Sequence, residues 1–242
     1  MCQRLFETIR KMAKKLNYNK EYFRERDSLN PLLAQSIKIL AKENNLKTIL
    51  DVGCGTGRLV HFLNKNSYQA YGCDTAKEAI SLAKKINQDS KIKWGQASQL
   101  PYKNDSFDLI TSISVIEHLT KTQVQKFLSE ATRVLKSGGF IFFVTPNFSS
   151  PARLLFGKKW FAYKDPTHIN FFTPKSLKLL LAKYGFKNVK FRHKSAYNAP
   201  FVWYLPLPLR KLPMPVKNCL NYLMISSPLA TFRDSLWVSA RK

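Results

Sequence analysis

Forty lysines and arginines against 15 aspartates and glutamates give this 242-residue chain a net charge of +25, a field that draws phosphates or anionic lipid headgroups without choosing between them. With 45% hydrophobic and 13% aromatic residues it cannot be a disordered tail, and its length suits one domain with a substantial core. The four cysteines, Cys2, Cys54, Cys73 and Cys219, contain no C-x-x-C pair, so neither a disulfide framework nor a metal site is expected.

Residues 1–20 carry Arg4, Arg10, Lys11, Lys14 and Lys15 and hold no uninterrupted apolar stretch. They do not read as a secretory signal, and a cytoplasmic location, extending to the inner face of a membrane, is expected. Leu5, Ile9, Met12 and Leu16 recur at helical spacing among these cations, which predicts an amphipathic basic helix. Such a helix either lies on an anionic membrane surface or, the favoured reading, packs as a lid beside a cofactor. Asn30-Pro31 then opens a second helix to about Glu43, with Leu32, Leu33, Ile37 and Leu40 as its buried stripe.

Ile49-Leu50-Asp51-Val52-Gly53-Cys54-Gly55-Thr56-Gly57-Arg58 passes from an apolar run to a glycine-rich turn and on to a helical pattern. Strand, tight turn and helix follow in that order, so a ligand can lie against bare backbone at a helix N-terminus. A dinucleotide fingerprint would need glycine where Arg58 stands, which disfavours a pyrophosphate. Asp74 closes the next apolar run, where its carboxylate can accept both hydroxyls of a ribose. Adenosine without pyrophosphate fits this pair of features.

Downstream, apolar strands alternate with amphipathic helices, the pattern of a mostly parallel sheet covered on both faces. Helices are expected over about 58–66, 76–87 and 122–135, and strands over 47–52, 69–73, Lys91 to Trp94, Phe107 to Ser112 and Phe140 to Val144. A turn at Ser137-Gly138-Gly139 is expected to separate the last helix from the last of these strands.

The D-x-G-x-G-x-G turn with its downstream acid resembles motif I of class I S-adenosylmethionine-dependent methyltransferases. Gly95-Gln96-Ala97-Ser98-Gln99-Leu100-Pro101-Tyr102 is similar to that family's G-D-A-x-x-L-P-F stretch, with Gln96 replacing the acid. Ser106 to Ile110, Val115-Ile116-Glu117-His118-Leu119 and Arg133 to Gly139 resemble its next motifs in order, so the match spans residues 49–146. Asp165 to Pro174 and Ser176 to Phe186 resemble the tail of the ubiquinone-biosynthesis-like branch, methyltransferase types 11 and 23.

The resemblance implies an α/β, Rossmann-like sheet of seven mostly parallel strands with helices on both faces. Phe186 to Arg192 would be strand six, and Ser235 to Ala240 an antiparallel strand seven. It implies S-adenosylmethionine as cofactor, held by Asp51, Gly53, Cys54, Gly55, Gly57, Asp74, Gln96, Ala97 and Ser112. The chain then divides into N-terminal helices (1–46), a cofactor-binding core (47–194), an apolar, proline-rich insertion (195–232) and a final core strand (233–242). About forty residues part the last two strands, longer than most structureless connections, which points to a functional insertion. Its prolines and cations preclude a spanning helix. It contacts a membrane headgroup layer, lines a pocket for an apolar substrate, or roofs the core.

Methyl transfer by in-line displacement needs a positioned nucleophile, and an oxygen of low acidity also needs a general base. His168, in the segment after strand five, and His118 with Glu117, after strand four, are the candidates, each with a purely structural role as the alternative. No N-P-P-Y-like tetrad follows strand four, and no cysteine closes strand five, which removes the support for planar-nitrogen and cytosine-carbon acceptors. The expected function is O-methylation of a small-molecule or lipid-linked acceptor, such as a quinone precursor or envelope sugar, with peripheral contact to an anionic membrane. RNA methylation, drawing on the charge, and a non-catalytic membrane-associated protein are the competing readings. Oligomeric state is left open.

Overall fold

The computed structural model describes residues 27–191, 211–213, 215–217, 219 and 234–242. The expected N-terminal amphipathic helix and nearly all of the 195–232 insertion lie outside the described residues.

Helix α1 (Pro31–Glu43) begins where the side chain of Asn30 accepts the amides of Leu32 and Leu33 and a proline occupies the first turn. Leu33, Ile37 and Ala41 form its buried side. The chain then alternates through β1 (Thr48–Val52), α2 (Arg58–Lys65), β2 (Gln69–Asp74), α3 (Lys77–Ile86), β3 (Ile92–Trp94) and β4 (Phe107–Ile113). Helix α4 (Lys121–Val134) starts at a capping box between Thr120 and Gln123. Beyond it come β5 (Leu135–Pro146), the short helices α5 (Pro151–Phe156) and α6 (Phe161–Lys164), α7 (Pro174–Lys183), β6 (Lys187–Lys190) and β7 (Ser235–Arg241).

The seven strands form one sheet in the order β3-β2-β1-β4-β5-β7-β6, with β7 antiparallel to both of its neighbours. Successive residues face opposite sides of the sheet. Leu50, Ile110 and Phe143 therefore enter one core with Phe127, Leu177 and Phe186. Ile49, Leu109 and Phe142 enter the other, with Ile37, Val60 and Trp237.

The expected boundary at Ser137-Gly138-Gly139 is corrected. Strand β5 already begins at Leu135, and this stretch is an irregularity within it, with Leu135 opposite Phe107 and Phe140 opposite Leu109. Gly138 supplies the positive φ of 74° that the irregularity needs. Beside it, Lys136 Nζ donates to Asp108 Oδ1 at 2.8 Å, while the Lys47 and Thr48 amides donate to Asp108 Oδ2 at 2.9 and 2.7 Å. This knot ties the start of β1 to β4 and β5.

Strand order reverses between β1 and β4, since β2 and β3 lie to one side and β5 to the other. In open α/β sheets such a switch point opens a crevice outside the carboxyl ends of the strands. The segments leaving β1 and β4 form its two walls.

Candidate functional site

A cavity of about 320 Å³ occupies this crevice, within the size range of small-molecule sites. From the β1 side it is lined by Val52, Gly53 and Gly55, and from the end of β2 by Asp74, Thr75 and Ala76. Gly95 and Ala97 approach from β3, and Ser114, Val115, His118 and Leu119 from the segment after β4.

The glycine turn is held by the amides of Gly53 and Cys54, which donate to the carbonyl of Cys73 at 2.8 and 3.1 Å. Gly53 adopts φ +77°, and a Cβ there would sit 2.4 Å from Cγ2 of Val115. Gly55 has φ +51° with no atom within 4 Å of the place a Cβ would take, so its bare backbone borders open space in the cavity. A side chain at 55 would fill the room into which a ligand can approach the main chain.

Asp74 is held from both sides. The Gly55 amide donates to its Oδ2 at 2.9 Å and the Ala76 amide to its Oδ1 at 2.9 Å. A carboxylate offers about four acceptor positions, so each oxygen keeps capacity for one more donor. Two acceptors fixed side by side match the vicinal hydroxyls of a ribose, and the glycine turn supplies the backbone surface for the attached groups. The residues present fit an adenosyl ligand.

Gly53, Gly55, Asp74 and Ala97 thus line the cavity as expected cofactor residues, whereas Asp51, Cys54, Gly57, Gln96 and Ser112 do not. Asp51 is buried and accepts from Thr111 Oγ1 at 2.7 Å. Burial pushes its carboxyl up to about 7, the Thr111 hydrogen bond opposing and the charge of Asp74 adding. Cys54 packs its sulfur under Gly72, and burial raises its thiol well above the ordinary value. Gly57, at φ +74°, turns the chain into α2 and packs on Ala83 and Asn87. Gln96 is exposed, beyond the short β3. Ser112 is buried with an unpartnered hydroxyl. The cavity residues Thr75, Ala76 and Ser114 carry no chemical signature in the sequence; only their positions after the ends of β2 and β4 mark them.

Glu117, His118 and His168 converge, one potential donor atom from each lying within 4.8 Å of the others. The backbone brings the two segments together, because the amides of Ile169 and Asn170 both donate to the carbonyl of Glu117, at 2.9 and 3.0 Å. The Asn170 side chain adds a bond to the carbonyl of Leu119. The two imidazoles meet edge to face, 4.7 Å between centroids.

Hydrogen bonds set the ring orientations. His168 Nδ1 lies 2.7 Å from the carbonyl of Ala162 and therefore donates to it. Thr167 Oγ1 donates to Asp165 Oδ1 at 2.5 Å, so at 2.7 Å from His118 Nδ1 it accepts from that ring. His168 Nε2 then lies 4.0 Å from Asp165 Oδ2. Burial, with the neighbouring His168, pulls His118 down to about 4. Glu117 is buried against β5, its Oε2 accepting from Thr145 Oγ1 at 3.0 Å while Oε1 has no partner. Burial raises its carboxyl to about 7.

A protein-family model described as a methyltransferase domain matches residues 9–190. Over 132 residues the chain is 30% identical to a ubiquinone biosynthesis O-methyltransferase of Hydrogenovibrio crunogenus, covering 52% of this chain and 54% of that protein. Over 106 residues it is 35% identical to ajmaline N-methyltransferase of Rauvolfia serpentina, covering 41% of this chain and 36% of that protein. The chain thus matches about half the length of the first relative and about a third of the second. Among solved structures, a methyltransferase from Archaeoglobus fulgidus superposes with a TM-score of 0.59 at 21% identity, covering 86% of this chain and 94% of that one, a likeness of fold.

Proposed function

The chain belongs to the S-adenosylmethionine-dependent methyltransferases, and on that premise we propose that it methylates an oxygen of a small-molecule or lipid-linked acceptor. One observation carries the reading: a single cavity is bounded by the glycine turn and Asp74 on one side and by His118 on the other. S-adenosylmethionine supplies a methyl group on a sulfonium leaving group. Gly53 and Gly55 admit it to the main chain, Asp74 receives its ribose, and the segment from Ser114 to His118 borders the end where an acceptor enters. His118 and His168, with Glu117 beside them, orient the acceptor hydroxyl and promote the loss of its proton.

The relatives include one named for oxygen and one for nitrogen methylation. The oxygen reading is favoured by the histidine cluster, because a hydroxyl of low acidity needs help to lose its proton whereas a free amine does not. Calorimetry should show S-adenosylmethionine binding that Asp74→Ala abolishes. Labelled methyl groups should appear in lipid or small-molecule fractions of a cell extract. A folded wild type that binds no S-adenosylmethionine would overturn the reading, and label confined to RNA would overturn the acceptor.

Contact with an anionic membrane is favoured by the surface beside this site. Leu154 and Leu155 are 75% and 69% exposed, with Phe156, Phe161 and Tyr163 also exposed and Lys158, Lys159 and Lys164 among them. Apolar side chains flanked by cations suit the headgroup layer. Among the described residues no helix is long and apolar enough to cross a membrane. Flotation with anionic vesicles should carry the wild type upward and leave a Leu154→Ser/Leu155→Ser variant behind.

A further inference from the structure

We infer that Glu117, His118 and His168 bind a divalent first-row transition-metal ion at the acceptor end of the cavity. The geometry is nearly assembled. Three donors held tetrahedrally at about 2.0–2.2 Å from one ion lie about 3.3–3.6 Å apart, so donor atoms gathered within 4.8 Å of one another need to close by about 1.5 Å at most. That is within the reach of side-chain torsions.

The hydrogen bonds around the cluster are those a metal site needs. Histidine ligands characteristically donate their other ring N–H to a carbonyl or a carboxylate, which fixes the tautomer and the ring plane. His168 Nδ1 donates directly to the Ala162 carbonyl, and His118 Nδ1 donates to Thr167 Oγ1, which passes the interaction on to Asp165 Oδ1. Both rings are thereby fixed in plane and tautomer, which leaves Nε2 of each as the nitrogen with a lone pair to offer.

Glu117 provides the independent sign. Its side chain is buried and Thr145 anchors Oε2, while Oε1 has no hydrogen bond of normal geometry, the nearby Ser114 hydroxyl and the Glu117 amide supplying only weaker support to the carboxyl. A buried carboxylate oxygen without a full hydrogen bond is left incompletely compensated for the water it lost, and a cation in this cluster removes that cost. Asp165 Oδ2, 4.0 Å from His168 Nε2, adds a second negative group beside the site. Two imidazoles and a carboxylate suit Zn²⁺, Mn²⁺, Fe²⁺ or Co²⁺ rather than Mg²⁺ or Ca²⁺, which prefer oxygen donors alone. No motif spacing announces the set, since His168 lies in a different segment of the chain from the adjacent Glu117 and His118.

What the ion does rests on the methyl-transfer reading: an acceptor hydroxyl bound to it becomes more acidic and releases its proton to solvent water. Whether the ion binds does not rest on that reading, and the test separates the two. Full-length protein is stripped with a chelator and dialysed against Co²⁺, with bound metal counted per chain and the visible ligand-field absorption recorded. The wild type should hold one equivalent. Glu117→Gln and His168→Gln should each weaken cobalt binding by more than the 10- to 100-fold that loss of an orienting partner costs, and Thr167→Val should weaken it by about that amount. Asp74→Ala should lose S-adenosylmethionine and keep the metal. A wild type that retains less than one equivalent overturns the proposal, as does binding unchanged in both ligand variants with native circular dichroism. Cobalt bound by a protein with no affinity for S-adenosylmethionine leaves the metal site standing and removes the transfer reading.

Discussion

Gly53 and Val115 sit on opposite walls of the cavity, and only 2.4 Å separates Cγ2 of Val115 from the point a Cβ on Gly53 would occupy. The turn after β1 and the segment after β4 are packed together at the one place where the glycine has no side chain. Gly53→Ala therefore combines a clash with a φ of +77° that alanine avoids. Urea denaturation should show a loss of about 2 kcal/mol or more.

Gly55→Ala separates stability from binding. With nothing within 4 Å of the added methyl, the expected stability cost is the backbone strain alone, about 1–2 kcal/mol. The methyl group occupies ligand space, so S-adenosylmethionine affinity in calorimetry should fall much more than the urea midpoint implies.

Asp74→Asn keeps one carboxamide oxygen and replaces the other with a donor. It should retain the fold and weaken S-adenosylmethionine binding by about 1.5–3 kcal/mol, the range for hydrogen bonds to a charged group. Binding within twofold of the wild type would remove the ribose role assigned to this residue.

Asp51 sets a pH dependence of opposite sign to the usual carboxylate. Its folded-state carboxyl lies at about 7 against an ordinary 3.8, so the folded protein binds the proton more tightly than the unfolded chain. Its contribution is fully present below pH 3.8 and is lost as pH rises through 7. In Asp51→Asn the fall in urea midpoint between about pH 4 and 7 should flatten relative to wild type.

Asp108 behaves conversely. Although burial opposes it, hydrogen bonds from Lys136 and from the Thr48 and Lys47 amides hold its carboxyl at about 2. Its stabilisation is present above pH 3.8 and lost as pH falls through 2. Asp108→Ala should lower stability at neutral pH by about 2–3 kcal/mol. Since the knot lies at the start of β1, remote from the cavity, S-adenosylmethionine affinity should be unchanged.

The strands, the glycine turn and Asp74 were legible in the sequence because each is written locally, as an apolar run ended by glycine or by an acid. Asp51 and Ser112 lie away from the cavity lining because alternate residues of one strand look alike until the sheet assigns a face to each, and Cys54 does so because its side chain turns under Gly72. Gln96 was drawn in by its motif, but β3 is only three residues long and the chain has turned outward by that point. Strand β5 begins ahead of its apolar run because Leu135 pairs with Phe107 of β4, and Lys136 to Gly139 form the irregularity between that pair and the one made by Phe140 and Leu109, which side-chain alternation does not show. The meeting of His118 with His168 is a tertiary event with no local trace beyond their shared position at the carboxyl edge.

Residue Asp234, immediately ahead of β7, accepts from Ser150 Oγ and, at 3.4 Å, from Trp160 Nε1, and its carbonyl receives the Asn147 amide. These bonds join those from the Ile169 and Asn170 amides to the Glu117 carbonyl in supporting the loop that carries Ala162 and hence His168. During synthesis the ribosome delivers β1 to β4 and the glycine turn well before this residue, so the cofactor wall can take shape on the nascent chain. The acceptor wall gains the Asp234 part of its bracing only when that residue and the strand behind it emerge and slot between β5 and β6. The order of translation thus staggers the two halves of the cavity in time, and a chain halted before residue 234 would carry the means to hold a donor without a finished place for its acceptor.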